Sequence, residues 1–224
     1  MGVLAGLFFN GAAVWADVEA ALFDSALSAD ETLDWMRCPL VITPGETGII
    51  HAYFKNNGDR PVTPTIRAHI SEGLVILMRQ IDTRPTIQPG ETIELQYEVT
   101  GEDAVWGAFI LARVYMFRSS PLPSRTGSCG ILLANIPLPR GWVVVALLLI
   151  ASVGGIGSGL WLWRQANMPL NGRTLKAIQA MSVLALATLA GISLNLIGIW
   201  FPAAVLLLLT ILLLASLFAY FMML

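Results

Sequence analysis

Residues 141–224 restrict this chain more than any other stretch. They read GWVVVALLLIASVGGIGSGLWLW, then a short polar loop, then AIQAMSVLALATLAGISLNLIGIWFPAAVLLLLTILLLASLFAYFMML. Their only charges are Arg164, Arg173 and Lys176, all basic and all in that loop. A helix crosses about 30 Å of hydrocarbon with about 20 apolar residues. The stretch therefore predicts three membrane spans, about 142–163, 177–197 and 203–224. Trp142 and Trp163 flank the first span, where indole rings favour the lipid–water boundary. Asn171-Gly172 marks the turn in the basic loop, and Trp200-Phe201-Pro202 reads as a tight interfacial turn.

Composition agrees. Only 12% of the 224 residues are charged, against about 25% in soluble domains. All 15 acidic residues lie between Asp17 and Asp103, and every charge after Asp103 is basic. The loop holding Arg164, Arg173 and Lys176 is the short connection with basic residues and no acids, so it is expected on the cytoplasmic side. The preceding region is then extracytoplasmic, and the carboxyl terminus cytoplasmic, in a multi-pass plasma-membrane protein. No basic tract with interleaved aromatics supports nucleic-acid binding.

Small residues recur every fourth position in two spans: Ala151, Gly155 and Gly159, then Ala187, Gly191 and Asn195. This spacing lets helix backbones approach closely, and Asn hydrogen-bonds across such contacts. The two seams fit packing within the chain or docking on another membrane subunit. The spans carry no acid or lysine that would suggest ion transport.

Residues 1–16 form an apolar run ending in Val14-Trp15-Ala16 before acidic Asp17. The pattern fits a secretory signal with cleavage after Ala16. The missing basic residue leaves an uncleaved apolar anchor as the other reading. Residues 17–37 read as an acidic arm. Leu22, Phe23, Ala26 and Leu27 share a helical face, and Ser28 and Glu31 have capping-box spacing.

From residue 38 to 136 the period becomes that of strands, expected at 40–43, 48–55, 63–71, 74–78, 92–99, 106–118 and 129–135. In residues 92–99, Ile93, Leu95, Tyr97 and Val99 share one face and Glu94, Gln96 and Glu98 the other, as in a strand with one wet face. Turn signals separate the strands, among them Pro44-Gly45, Asn57-Gly58 and Pro89-Gly90. Seven short strands in about 100 residues predict a β-sandwich. Residues 137–141, Pro-Leu-Pro-Arg-Gly, make a short stiff linker to the first span.

Three motifs carry a resemblance: Thr43-Pro44-Gly45-Glu46-Thr47, Asn56-Asn57-Gly58-Asp59 and Gln88-Pro89-Gly90-Glu91-Thr92. They resemble the turn pattern of CARDB-like and NEW3-like immunoglobulin-type modules. The resemblance implies an immunoglobulin-like sandwich. It implies no catalytic residues, because such modules serve as spacers, adhesion units and scaffolds.

Cys38 and Cys129 stand far apart and in no metal-ligand spacing. In an exported domain such a pair reads as a disulfide closing a long loop; two buried thiols are the alternative. The loop holding Arg118, Pro121, Pro123 and Arg125 is a candidate interaction loop, since loops on rigid sheets often carry function. His51 and His69 fall on neighbouring strand candidates, but no histidine follows Cys129, so a blue-copper ligand set is absent. No catalytic motif is present, and no cofactor is implied.

The expected architecture is thus an all-β immunoglobulin-like sandwich ectodomain on an α-helical bundle of three spans. The expected role is non-enzymatic: an accessory, scaffold or interaction subunit, with lipid and other membrane subunits as partners. A sensory ectodomain signalling through a partner is the second reading, and a metal carrier or enzyme using His51 and His69 the third.

Overall fold

The computed structural model describes residues 1–25, 29–33, 35–169 and 172–222, the side chains of Arg173, Tyr220, Phe221 and Met222 excepted. Ala26, Leu27, Ser28 and Asn171, named above, fall outside the described residues. The chain divides into a β unit, Trp15–Val144, and a helical unit made of Met1–Val14 and Val145–Leu224. The first helix, α1 (Gly2–Leu22), contributes to both.

Among its described residues the β unit holds nine strands in two sheets. In the larger, β1 (Glu31–Thr32), β9 (Arg125–Leu133), β8 (Phe109–Met116), β5 (Ile66–Glu72) and β6 (Leu74–Thr83) lie in that order, and β3 (Val41–Ile42) also pairs with β9. β1 and β3 run parallel to β9; the other pairings are antiparallel. The smaller sheet is β2 (Trp35–Arg37), β4 (Gly48–Lys55) and β7 (Thr92–Val99), all antiparallel. Alternation explains the layers. Ile50, Ala52 and Phe54 of β4 are buried together with Ile66, Ala68 and Ile70 of β5 in one apolar core. β7 keeps the expected faces, with Tyr97 and Val99 buried and Glu94, Gln96 and Glu98 exposed.

The two Pro-Gly-Glu turns share one device. The N–H of Thr43 and of Gln88 donates to the carboxylate of Glu46 and of Glu91, three residues on, at 3.1 and 2.6 Å. Each glutamate N–H returns a bond to the carbonyl of Thr43 or Gln88, 3.0 Å in both turns. Gly90 has φ +75° there, which a residue with a Cβ rarely adopts. Asn57-Gly58 is not a hairpin turn. β4 and β5 lie in different sheets, and buried Asn56 holds the crossover by donating to the carbonyls of Arg60 and Ile87 and accepting from Gly58 N–H.

The helical unit contains the first part of α1 with α2 (Gly141–Ala166, from residue 145), α3 (Gly172–Ile197) and α4 (Trp200–Met222). Among the described residues four helices are long and apolar enough to cross a membrane: α1, α2, residues Thr174–Ile197 of α3 and Trp200–Ala219 of α4. α3 ends on Gly198, φ +83°, with Gly198 N–H bonded to Asn195 O and Ile199 N–H to Leu194 O. That pair of bonds is the Schellman helix stop. Trp200-Phe201-Pro202 is the first turn of α4 rather than a loop. Pro is tolerated there because the first N–H groups have no intrahelical partner.

The expectation of an all-β immunoglobulin-like sandwich on three spans is corrected by these findings. Among the described residues there are four apolar helices, the larger sheet is mixed, and neither sheet closes on itself. Residues 1–16 do not end at a helix boundary, since α1 continues through Asp17 to Leu22. The supposed acidic arm divides into the end of α1, a turn, β1 and β2. Strands of two and three residues are too short to show a period. The start of α1 is masked in sequence because its apolar run stops short of a full span.

Candidate functional site

The β unit has two distinct ends. At one end Phe109 of β8 pairs with Leu132 of β9, and Val41 and Ile42 of β3 pair with Leu132 and Leu133. Both connections to apolar helix begin here. Trp15 of α1 stacks on Phe109, ring centroids 6.2 Å apart. Gly141, the first residue of α2, lies so close to Val41 that a Cβ would overlap the Val41 carbonyl. Gly141 N–H also donates to Glu46, 2.6 Å.

From Trp15 the helix runs down the sheet. Gly130 of β9 accepts the Ala16 main chain where a side chain would collide, and its N–H donates to Asp17, 3.1 Å. Ala20 and Phe23 are buried with Val105 and Leu111. Past the helix end, Asp24 adopts φ +49° and meets His69 Nδ1 at 2.5 Å, while Phe23 O accepts from Arg113, 3.0 Å.

At the other end Met116 pairs with Arg125, and the candidate loop closes between them. Ser119 and Leu122 form a bridge, and Leu122 is buried in the core. Arg118 donates to Asp30 at 3.0 Å. The Asp30 carboxylate also accepts from Ser124 Oγ and N–H, and these bonds, the Ser124 ones foremost, hold its pKa below the ordinary value. Arg118, Ser120 and Pro121 are exposed and Pro123 is half-buried. Arg125 belongs to β9 instead: it is buried and paired with Glu31 at 3.0 Å.

Cys38 and Cys129 form a disulfide, Cα atoms 6.5 Å apart. Cys38 follows β2 of the smaller sheet and Cys129 lies within β9 of the larger, so the bond ties the sheets together. His51 and His69 do not come together, because β4 and β5 belong to different sheets. His51 pairs with Glu94 on β7, and His69 with Asp24. Among the described residues no group of three or more His, Cys, Asp or Glu is arranged to hold a metal ion.

In the helical unit the two seams meet α1. A Cβ on Gly155 would come within 2.8 Å of Gly2 Cα, and one on Gly191 within 2.8 Å of Asn10 Nδ2. Asn195 Nδ2 donates to Asn10 Oδ1 at 3.0 Å, and Asn10 Nδ2 to Thr188 O at 3.2 Å. Ala151 and Gly159 are exposed, a Cβ at Gly159 would meet no atom of the described residues within 4 Å, and Ala187 is half-buried. Arg164 lies in the last turn of α2, while Arg173 and Lys176 lie within α3 rather than in a loop. Asn10 is the residue sequence reasoning missed. An amide inside an apolar run was the available signal.

No protein-family model matches the chain, and no curated protein matches it. Solved structures with partial likeness include a Paenibacillus cycloisomaltooligosaccharide glucanotransferase: TM-score 0.37, 16% identity, 49% of this chain and 15% of that one. A Bacteroides uniformis β-glucuronidase has TM-score 0.33, 12% identity, and 44% and 13% coverage of the two chains. The Pseudomonas fluorescens alkylpurine DNA glycosylase AlkC has TM-score 0.35, 12% identity, and 46% and 30% coverage. The chain spans less than a third of each of these proteins, and likeness at this level carries no argument about its activity.

Proposed function

We propose that this chain is a non-enzymatic integral membrane protein whose β unit, held on the extracytoplasmic side, is an accessory or interaction subunit of a membrane assembly. One observation carries the reading. Both helix connections are seated against one end of the β unit, at Phe109 and at Val41, and the exposed Arg118–Pro121 loop occupies the opposite end. Chain connections gathered at one end and an accessible, internally braced loop at the other suit presentation to a partner.

The orientation rests on two supports. Arg164, Arg173 and Lys176 cluster around the α2–α3 connection, which the positive-inside rule assigns to the cytoplasm. The Cys38–Cys129 bond favours an oxidising compartment for the β unit. Residues 1–16 then act as the retained apolar anchor, because Ala16 is buried against Gly130 in the middle of a continuous helix. The carboxyl terminus is cytoplasmic in this arrangement.

The test is purification from the native membrane in a gentle detergent, with a photo-crosslinking residue in place of Pro121. A discrete larger assembly and a crosslink to one membrane component are expected. A chain that always migrates as an uncrosslinked monomer would defeat the proposal.

A further inference from the structure

Five consecutive apolar residues open β6: Leu74, Val75, Ile76, Leu77 and Met78. Four of them are exposed, Ile76 at 81% of its surface. A strand with one buried face alternates apolar and polar residues. β6 instead changes character along its length, from Leu-Val-Ile-Leu-Met to Arg-Gln-Ile-Asp-Thr. That gradient runs with distance from the hairpin tip, not with the face of the sheet.

The tip is braced. Val75 packs beside Phe109 against the cluster of Ala20, Phe23, Val105 and Leu111. Ser71 Oγ accepts from Leu111 N–H at 2.9 Å and donates to Asp103 O at 2.8 Å, where the β5–β6 register shifts. Arg79, the first polar residue, is fixed by Asp103 and by the Glu98 carbonyl. Trp106, adjacent to buried Val105, is 61% exposed and holds φ +53°.

The location decides the occupant. Glu72 pairs with Leu74 at the end of the sheet where Phe109 pairs with Leu132. The helix connections at Trp15 and Gly141 leave from that same end. Within the β unit, then, the exposed apolar tip and the two chain segments bound for apolar helix are neighbours. We infer that the β5–β6 tip, residues 74–78, together with Trp106 is seated in the lipid interface as a further contact of the β unit with the bilayer. Polar Arg79, Gln80 and Asp82 mark where the strand emerges into water, as expected for an element graded by depth. A protein strand added to the β6 edge would have to run on past the apolar half, whose character stops at Arg79.

The test uses the full chain in phosphatidylcholine–phosphatidylglycerol vesicles, with single cysteines introduced at Ile76, Arg84 and Leu208 and labelled with an environment-sensitive fluorophore. Arg84 lies one residue past the far end of β6, and Leu208 is exposed on α4. Lipids carrying a nitroxide near the head of the acyl chain should quench the Ile76 label several-fold more than the Arg84 label. Aqueous iodide should show the reverse order. The Leu208 label reports membrane insertion by itself, so failure of the tip is distinguishable from failure of the whole topology. An Ile76 label as open to iodide as that at Arg84, with Leu208 quenched by lipid, overturns the inference. So does an Ile76 label shielded from both quenchers, which would indicate a protein cover.

Discussion

Residues 2–14 of α1 lie among helices, and residues 15–22 lie on a sheet. Each half is received by a glycine that lets main chains approach: Gly155 beside Gly2, and Gly130 against Ala16. The accompanying chemistry differs. The first half adds an amide chain from Asn195 through Asn10 to the Thr188 carbonyl. The second adds apolar burial of Ala20 and Phe23, with the Gly130–Asp17 bond. The contrast follows from the surroundings each half is built for. Between apolar helices in lipid, burial of another Leu provides no driving force, so close packing and amide bonds must hold them. On a sheet facing water, removing a phenyl ring from solvent is itself favourable, by about 1.5–3 kcal/mol.

Five changes probe these contacts, in descending size. Replacing Cys38 and Cys129 by Ser removes a link across 91 residues and should cost the β unit about 2–5 kcal/mol. Limited proteolysis should then cut the β unit first and leave the helical unit intact; simultaneous loss of both would erase the distinction drawn here. Gly130→Val drives a branched side chain into the Ala16 main chain, with an expected loss of about 3 kcal/mol. Thermal unfolding measured by β-sheet circular dichroism checks it, and an unchanged midpoint would show that α1 is not seated on β9.

Asn10→Leu removes the amide chain at an expected cost of about 1 kcal/mol in lipid. Reversible unfolding in mixed micelles measures it, with Gly11→Leu, where no atom of the described residues lies within 4 Å of a Cβ, as the neutral control. Tyr97→Phe should act in the opposite direction. The Tyr97 hydroxyl is buried with no hydrogen-bond partner among the described residues, and burial pushes its pKa up to about 12. Removing it should stabilise the β unit by about 1 kcal/mol.

The smallest effect is one of pH and belongs to the far end of the β unit. The Asp30 pKa is depressed in the folded chain, chiefly by Ser124. Its contribution is therefore complete above the unfolded aspartate value and is lost as pH falls through the lower folded one. Asp30→Asn should flatten the acid side of the stability profile. A profile identical to that of the parent chain would remove Asp30 as a brace of the loop.

Much of this was legible in residue order because it depends on local chemistry. Apolar runs of 20 or more residues declare helices for lipid wherever they stand, and α2, α3 and α4 arise within a few residues of the expected bounds. The alternation in residues 92–99 declares a half-buried strand, and the Cys38–Cys129 bond follows the two cysteines in the sequence. The candidate loop was half legible. Arg118 and Pro121 are exposed, but Arg125 is claimed by Glu31 through a strand of two residues that no periodicity reveals.

What the residue order determined by itself is therefore where apolar helix must form and which segments have a wet face and a dry one, because those properties are set within a few neighbours. Which elements meet was decided only by tertiary structure. Asn10 met Asn195 across 185 residues, Ala16 met Gly130, and β4 and β5 parted into separate sheets. Each of those choices depends on how distant main chains fit together, and a glycine or an amide does not name its partner until the chain has folded.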